Sequence, residues 1–181
     1  MSNLDITKMA LANAMKQLMI EKPMGEIIIS DITKLCNMNR KSFYYHFKDK
    51  YDLVNWIFYT EFVSAIQETS PNNIWDFLES ICIYLNVNKT FYCNALKVKG
   101  QNSFSEYFTE LLEPIILTHF DDIFSNIKYK EFFSTFFADA IRTAISRWLI
   151  EGNDISPSKF IELTRSAIEG IAFKVIEDID E

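Results

Sequence analysis

Apolar residues recur at three- and four-residue steps along most of the chain, which is the spacing of an amphipathic α-helix. Leu11, Met15, Leu18 and Met19 form such a face near the amino end. The same spacing predicts helices at about residues 5–21, 53–66, 72–87, 89–97, 103–120, 128–151 and 156–177. Only four glycines and four prolines occur among the 181 residues, too few for the frequent turns of a sandwich or barrel. The sequence therefore predicts an all-α protein.

After the first helix, the apolar spacing predicts shorter helical segments. The isoleucine run at residues 27–29 has no neighbouring run to pair with, so we interpret it as an extended approach to the next helix and not as a strand. Ser30 has the chemistry of an N-cap for a helix of two turns. Asn37 tolerates the left-handed backbone of a tight turn, and Asn39 can cap a second short helix. The spacing predicts two short helices joined by a turn.

The second short helix, at residues 40–47, divides its side chains between two faces. Phe43 and Phe47 are four positions apart and can both face a core. The remaining circumference is left to basic and hydroxyl-bearing residues, namely Arg40, Lys41, Ser42, Tyr44 and Tyr45. Arginine and lysine donate to guanine edges in the major groove of DNA, and tyrosine and serine hydroxyls donate to phosphates. This composition is typical of a helix that enters a major groove.

Residues 30–53, SDITKLCNMNRKSFYYHFKDKYDL, resemble the helix-turn-helix signature of the TetR family of bacterial transcription regulators. The family's tyrosine, His-Phe pair, lysine and leucine correspond to Tyr44, His46, Phe47, Lys50 and Leu53. Its serine, threonine and glycine correspond to Asn39, Ser42 and Asn37. Asparagine caps helices and also takes the left-handed conformation, so the changes at Asn39 and Asn37 do not weaken the match.

The resemblance implies two domains and a regulatory function. Residues 1–50 would form a three-helix, helix-turn-helix DNA-binding domain, and residues 51–181 a helical domain for effector binding and dimerisation. The expected protein is a homodimer that binds double-stranded DNA at a palindromic operator, with one recognition helix in each major groove. Its effector would be a small molecule or a protein, and repression is the family's usual outcome.

The expected DNA contacts lie on the two short helices and just after them. By resemblance, Tyr44 and Lys50 contact phosphates, and Lys50 also lies at a helix start whose unpaired amides attract a phosphate. Arg40 and Lys41 are assigned to base reading, while Asn39 is a cap first and a DNA contact second. The complete set of candidates is Ser30, Asn39, Arg40, Lys41, Ser42, Tyr44, Tyr45, His46 and Lys50.

Two further sets of residues are expected in the second domain. Aromatic residues that can line a ligand cavity are Phe91, Tyr92, Tyr107, Phe108, Phe133 and Phe137, with Trp148 as a further candidate; a plain hydrophobic core is the alternative. In the fold that the resemblance implies, the last two long helices form a four-helix dimer interface. The candidates there are Ile141, Ile145, Trp148 and Leu149 on one helix, and Leu163, Ala167, Gly170 and Ile171 on the other.

A looser resemblance extends beyond the helix-turn-helix. Residues 91–96 and 100–108 are similar to a TetR branch that includes dihydroxyacetone-kinase regulators. It keeps open a variant in which a partner protein supplies the signal and the outcome is activation.

Charge and cysteine content narrow the remaining classes. The net charge is −7, but residues 1–52 carry +2 and the remainder −9, which would orient the basic end toward DNA. The three cysteines are widely spaced and there are only two histidines, so the sequence has no metal-ligand spacing. It also has no nucleophile–base pair and no phosphate-binding glycine loop, so we expect neither an enzyme nor a bound cofactor. No uncharged run exceeds nine residues, so we expect no membrane association and a cytoplasmic protein. The competing class is a helical small-molecule-binding protein that does not bind DNA.

Overall fold

The computed structural model describes residues 3–69, 71, 73–125, 128–152 and 154–179, and the regular elements among them are all helical. The amino-terminal helices are α1 (Asn3–Glu21), α2 (Ile29–Leu35), α3 (Arg40–His46), α4 (Lys50–Phe58) and α5 (Ser64–Thr69). They are followed by α6 (Ile74–Val87), α7 (Lys89–Lys97), α8 (Phe104–Ile123), α9 (Lys130–Glu151) and α10 (Pro157–Ile179). None of these helices has the length and apolarity that a membrane crossing requires.

The predicted fold class is confirmed, and the helix bounds agree to within a few residues. The predicted start of one helix at Asn72 lies outside the described residues. The main difference is in the helix predicted over residues 53–66, where a π-helical turn at Tyr59–Val63 separates α4 from α5. In this turn the Ser64 amide donates to the carbonyl of Tyr59, five residues back.

The described residues form two compact units. One contains the residues up to Thr69 together with Asn88–Tyr107, and the other contains the described residues of 71–87 and 108–179. Helices α4 and α7 therefore pack in the same unit as the two short helices. A functional division at residue 50 stays a prediction.

The first unit is built around the apolar face predicted for α1. Leu11, Met15 and Met19 are buried there, and α1 packs against α2, α4 and α7. Ile27 is buried in an extended conformation just before α2, as expected. A second cluster surrounds Phe58, whose ring lies 5.3 to 5.6 Å from those of Phe62, Phe104 and Tyr92.

The second unit has an aromatic core of its own. Phe120, Phe124 and Phe137 are buried, and their rings stack at 5.0 to 6.0 Å. Helix α10 packs on α6 and α9 in this unit.

His119 is a half-buried titratable group in the second unit. Burial lowers its pKa below the ordinary 6.5, and the carboxylates of Glu169 and Asp122 only partly offset this, while Arg165 lowers the pKa further. Its Nε2 atom is buried, and no hydrogen-bond partner for it lies among the described residues. Trp75 covers the imidazole, with 6.2 Å between ring centroids.

We expect His119 to make the protein less stable in acid. Because the folded-state pKa is lowered, the unfolded chain takes up the proton first, so this destabilisation is absent above the unfolded pKa and grows as the pH falls through it. Melting temperatures at about pH 7.5 and about pH 5.5 test this, with the wild type losing more than His119→Gln. The same change at the other histidine, His46→Gln, serves as the control; an equal pH response in wild type and His119→Gln would contradict the expectation.

Candidate nucleic-acid interface

The turn between α2 and α3 has the predicted geometry. Asn37 lies in the left-handed region with φ of 54°, and the Met38 amide donates to the carbonyl of Thr33 at 2.7 Å. Asn39 Oδ1 accepts from the backbone amide of Ser42 at 2.8 Å and from its hydroxyl at 3.2 Å. The cap interpretation of Asn39 is confirmed, and a direct DNA contact by Asn39 stays a prediction.

Helix α3 is anchored by Phe43 and by Phe47, the residue that follows the helix, and its other side chains are exposed or half-buried. Phe43 and Phe47 are buried, and their rings lie 5.8 Å apart. Tyr44 is 51% exposed and Tyr45 is 76% exposed. Arg40 lies over the ring of Tyr44 at 5.9 Å, and its Nη2 is 3.4 Å from the Tyr44 hydroxyl.

Lys41, Ser42 and His46 occupy other positions around α3. Together with Thr7, Asn39 and Tyr45 they line one surface groove at the side of α3. The His46 ring packs edge-on against Tyr45 at 5.0 Å. The predicted α3 residues thus surround the part of the helix that Phe43 and Phe47 leave accessible, and we call this accessible part of α3 the α3 surface.

Ser30 is not the cap of α2, because the helix begins one residue earlier, at Ile29. The side chain that closes this end is Asp31, whose Oδ2 accepts from the Ile28 amide at 3.2 Å and from Lys22 Nζ at 2.7 Å. The hydrogen bond from Lys22 lowers the pKa of Asp31. Ser30 itself is half-buried, and a DNA contact by it stays a prediction.

Lys50 binds the protein's own backbone. Its Nζ donates to the carbonyls of Met24 at 2.7 Å, Gly25 at 3.1 Å and Ile27 at 2.8 Å. An ammonium group has three protons, so all of them are used. Burial lowers the pKa of Lys50. A phosphate contact by Lys50 stays a prediction, and it requires one of these carbonyl bonds to be given up.

The amides at the start of α4 are also occupied. Asp49 Oδ1 accepts from the amides of Tyr51 at 2.8 Å and Asp52 at 2.9 Å. The expectation of unpaired amides next to Lys50 is therefore wrong for these two, because the carboxylate of Asp49 takes the place of a phosphate.

The predicted ligand-cavity residues are divided between the two units, and a ligand cavity lined by them stays a prediction. Phe91, Tyr92 and Tyr107 belong to the first unit, where Tyr92 packs on Phe91 at 4.9 Å. The others, Phe108, Phe133 and Phe137, belong to the second unit. Because most of these rings are buried against other rings, their packing agrees with the alternative of a plain core.

The predicted dimer residues separate into two groups. On α9, Ile141, Ile145 and Leu149 are fully or almost fully buried within one chain and Trp148 is 4% exposed, so these side chains have no surface left for a partner. The prediction that these four α9 side chains form part of the dimer interface is therefore corrected. On α10, by contrast, Leu163, Ala167, Gly170 and Ile171 are all exposed.

Both units contain residues that the sequence pattern did not mark as candidates. On α9 the exposed apolar side chains are Phe132 and Phe136, whose rings stack at 6.3 Å; their i, i+4 spacing was a usable signal. Asn94 on α7 binds three backbone groups near the end of α1. An isolated asparagine in a helical pattern gives no such signal.

Two family models match the chain. Residues 11–57 match the model described as bacterial regulatory proteins of the tetR family, and residues 72–170 match a transcriptional regulator C-terminal region. The second match alone covers more than half of the chain. The chain belongs to the TetR family of transcriptional regulators, which bind DNA through the amino-terminal helix-turn-helix.

Similar proteins agree with this assignment. The HTH-type dhaKLM operon transcriptional activator DhaS of Lactococcus lactis subsp. lactis (strain IL1403) is 28% identical over an alignment of 162 residues, and the match covers 83% of this chain and 83% of that protein. A solved structure of the dihydroxyacetone kinase operon activator DhaS is 25% identical with a TM-score of 0.64, covering 96% of this chain and 98% of that one. NalD, the secondary repressor of the MexAB-OprM multidrug efflux pump in Pseudomonas aeruginosa, has the same fold at 15% identity, with a TM-score of 0.65 over 92% of this chain and 96% of that one.

Proposed function

We propose that the protein regulates transcription as a homodimer whose two α3 helices enter successive major grooves of a palindromic operator. The observation that carries this proposal is the α3 surface, where basic and hydroxyl side chains point outward from a helix anchored by Phe43 and Phe47. Arg40 and Lys41 occupy the first turn of α3, and the amino-terminal residues of a recognition helix are those that reach base edges. The protein would act in the cytoplasm, by binding and without catalysis.

The contacts divide by chemistry. We assign base reading to Arg40 and Lys41, because guanidinium and ammonium groups match the acceptors on guanine. Ser42, which lines a groove with Lys41, is assigned as a helper. Phosphate contacts are assigned to Tyr44, Tyr45 and His46, which are exposed or half-buried at the edge of the same surface. Ser30, Asn39 and Lys50 are supporting candidates.

The dimer surface that we propose is the exposed apolar face of α10, extended by α9. Leu163, Ala167 and Ile171 recur at four-residue steps on α10, which places them on one side of the helix. Gly170 lies beside them and has open space around it, so two helices can approach closely there. Phe132 and Phe136 provide an exposed apolar extension on α9.

Control of DNA binding would come from an effector that acts on the region beyond residue 50. An effector shifts DNA affinity only as far as it binds one arrangement of the two recognition helices better than the other. The first candidate outcome is the one that the family resemblance implies, repression by excluding polymerase. The second candidate is activation with a partner protein as the signal, and it is favoured by the relative at 28% identity, which is an activator.

Selection of bound fragments from random duplex DNA tests the function. We expect an inverted repeat with half-sites about one helical turn apart. With Lys41→Ala, selection should lose preference at one or two positions in each half-site, at a cost of about 1–3 kcal/mol for the lost base contact.

Lys34→Ala is the matched control, because Lys34 is an exposed lysine on the neighbouring helix α2. It should leave the selected sequence unchanged and at most weaken binding to all sequences alike. Recovery of no DNA sequence by the wild type would refute the proposed function. An unchanged sequence preference in Lys41→Ala would remove Lys41 from the base-reading residues.

A further inference from the structure

The connector between α1 and α2 is held by two side chains from other helices. It includes the 3-10 turn Met24–Glu26. Lys50, which belongs to α4, donates to three carbonyls of the connector. Asn94, which belongs to α7, binds three further backbone groups. Six backbone groups near the connector thus depend on two residues.

Asn94 uses both of its amide donors and one lone pair of its amide oxygen. Its Oδ1 accepts from the Met24 amide at 2.8 Å, and its Nδ2 donates to the carbonyls of Met19 at 3.1 Å and Lys22 at 2.9 Å. The two carbonyls belong to the last turn of α1 and the residue after it, where helix carbonyls lack intrahelical partners. Only a side chain with an acceptor and two donors satisfies this set. Aspartate keeps the acceptor and would place a negative charge against two carbonyl oxygens.

Asn94 links two segments of the chain that match different family models. Asn94 itself lies in the segment that matches the transcriptional regulator C-terminal region. Its three hydrogen-bond partners lie in the segment that matches the DNA-binding region. The bonds span 70 to 75 positions of the chain.

The connection continues into the helix-turn-helix. Lys22, whose carbonyl accepts from Asn94, pairs through its side chain with Asp31 of α2 at 2.7 Å. Asp31 also holds the Ile28 amide at the start of α2. Helix α2 packs against α3, so a shift of the connector reaches the α3 surface through two ordered contacts.

We propose that Asn94 is a positioning residue that sets the orientation of α2 and α3 relative to α7, and thereby the spacing of half-sites that the dimer prefers. This inference rests on the proposed binding of a two-part operator. A dimer with well-held recognition helices tolerates few spacings, because both helices must enter their grooves at once. Loss of Asn94 leaves the connector held by Lys50 alone, and the looser connector relaxes that requirement.

The test measures affinity for a set of duplexes in which the two selected half-sites are separated by different numbers of base pairs. In Asn94→Ala, the preference for the best spacing over one longer by a single base pair should fall about tenfold, while affinity for an isolated half-site changes little. Asn86→Ala is the matched control, since Asn86 is an exposed asparagine within helix α6. Asn94→Ser, which keeps a small polar side chain at this position, should also lose spacing preference and serves if the alanine variant does not fold.

The outcomes separate the two proposals. If the wild type shows no preference among spacings or binds no duplex, the proposed operator binding fails. If the wild type has a sharp preference and the Asn94 variants keep it, losing affinity equally at all spacings, the positioning role is overturned and Asn94 only stabilises the fold.

Discussion

Replacing Ile171 by glutamate is expected to convert the dimer to monomers and to abolish binding to the full operator at concentrations where the wild type is saturated. Ile171 is 53% exposed in the single chain, on the face that we propose as the dimer surface. In a two-fold symmetric interface the substitution acts twice, and each carboxylate loses water without gaining a partner. A cost of about 3 kcal/mol or more per dimer raises Kd for association by more than about a hundredfold.

Light scattering and sedimentation measure this directly, and circular dichroism should show unchanged helix content. Val87→Glu is the matched control. Val87 is 78% exposed at the end of α6, outside the two helices of the proposed dimer surface. A dimeric Ile171→Glu variant, or a monomeric Val87→Glu variant, would place the interface elsewhere.

A charged substitution at Trp148 would not test the dimer surface, although the sequence pattern predicts Trp148 as an interface residue. Its Nε1 donates to the carbonyl of Ile155 at 3.0 Å, and its ring stacks on Phe160 at 4.9 Å. A charge at this position would unfold the second unit before it reported on association.

Lys50→Met is expected to lower stability by about 3 kcal/mol, because three carbonyls lose a charged donor. For a protein of this size the melting temperature should fall by roughly 6–12 °C. Methionine keeps an unbranched apolar side chain, so the change removes mainly the ammonium group. Operator affinity should fall as well, because the connector that precedes α2 is no longer held.

Thermal unfolding and the salt dependence of DNA binding are the measurements for Lys50. Lys48→Met is the control, since Lys48 is exposed two positions earlier. A melting temperature within about 2 °C of the wild type would contradict the stabilising role. If Lys50 also contacts a phosphate, the log–log salt slope flattens by about 1.8 per dimer; an unchanged slope removes Lys50 from the phosphate contacts.

Prediction from sequence succeeded where the signal is local. The turn at Asn37, the cap at Asn39 and the burial of Phe43 and Phe47 all depend on residues within a few positions of one another. The start of α2 differs by one residue because Asp31, and not Ser30, supplies the capping carboxylate. Both side chains can accept a hydrogen bond from a backbone amide at a helix start, and the sequence does not specify which of them binds the Ile28 amide.

Prediction failed where a helix is apolar on more than one side. Helix α9 carries Phe132 and Phe136 as well as Ile141 and Ile145, so the sequence does not distinguish the face toward the core from the face toward a partner. The structure buries the isoleucines and leaves the phenylalanines exposed. Which side of α9 is buried depends on how the helix packs against its neighbours in the folded chain.

The amino-acid sequence by itself determined the helical class, the helix-turn-helix and its outward basic residues, since helix periodicity, caps and turns are encoded over short distances. Only the tertiary structure decided that the Lys50 ammonium binds carbonyls as far as 26 positions away and that Asn94 reaches back 75 positions to the end of α1. The physical reason is that a hydrogen bond depends on which atoms folding brings within about 3 Å of one another. Residue type and spacing along the chain do not specify that proximity.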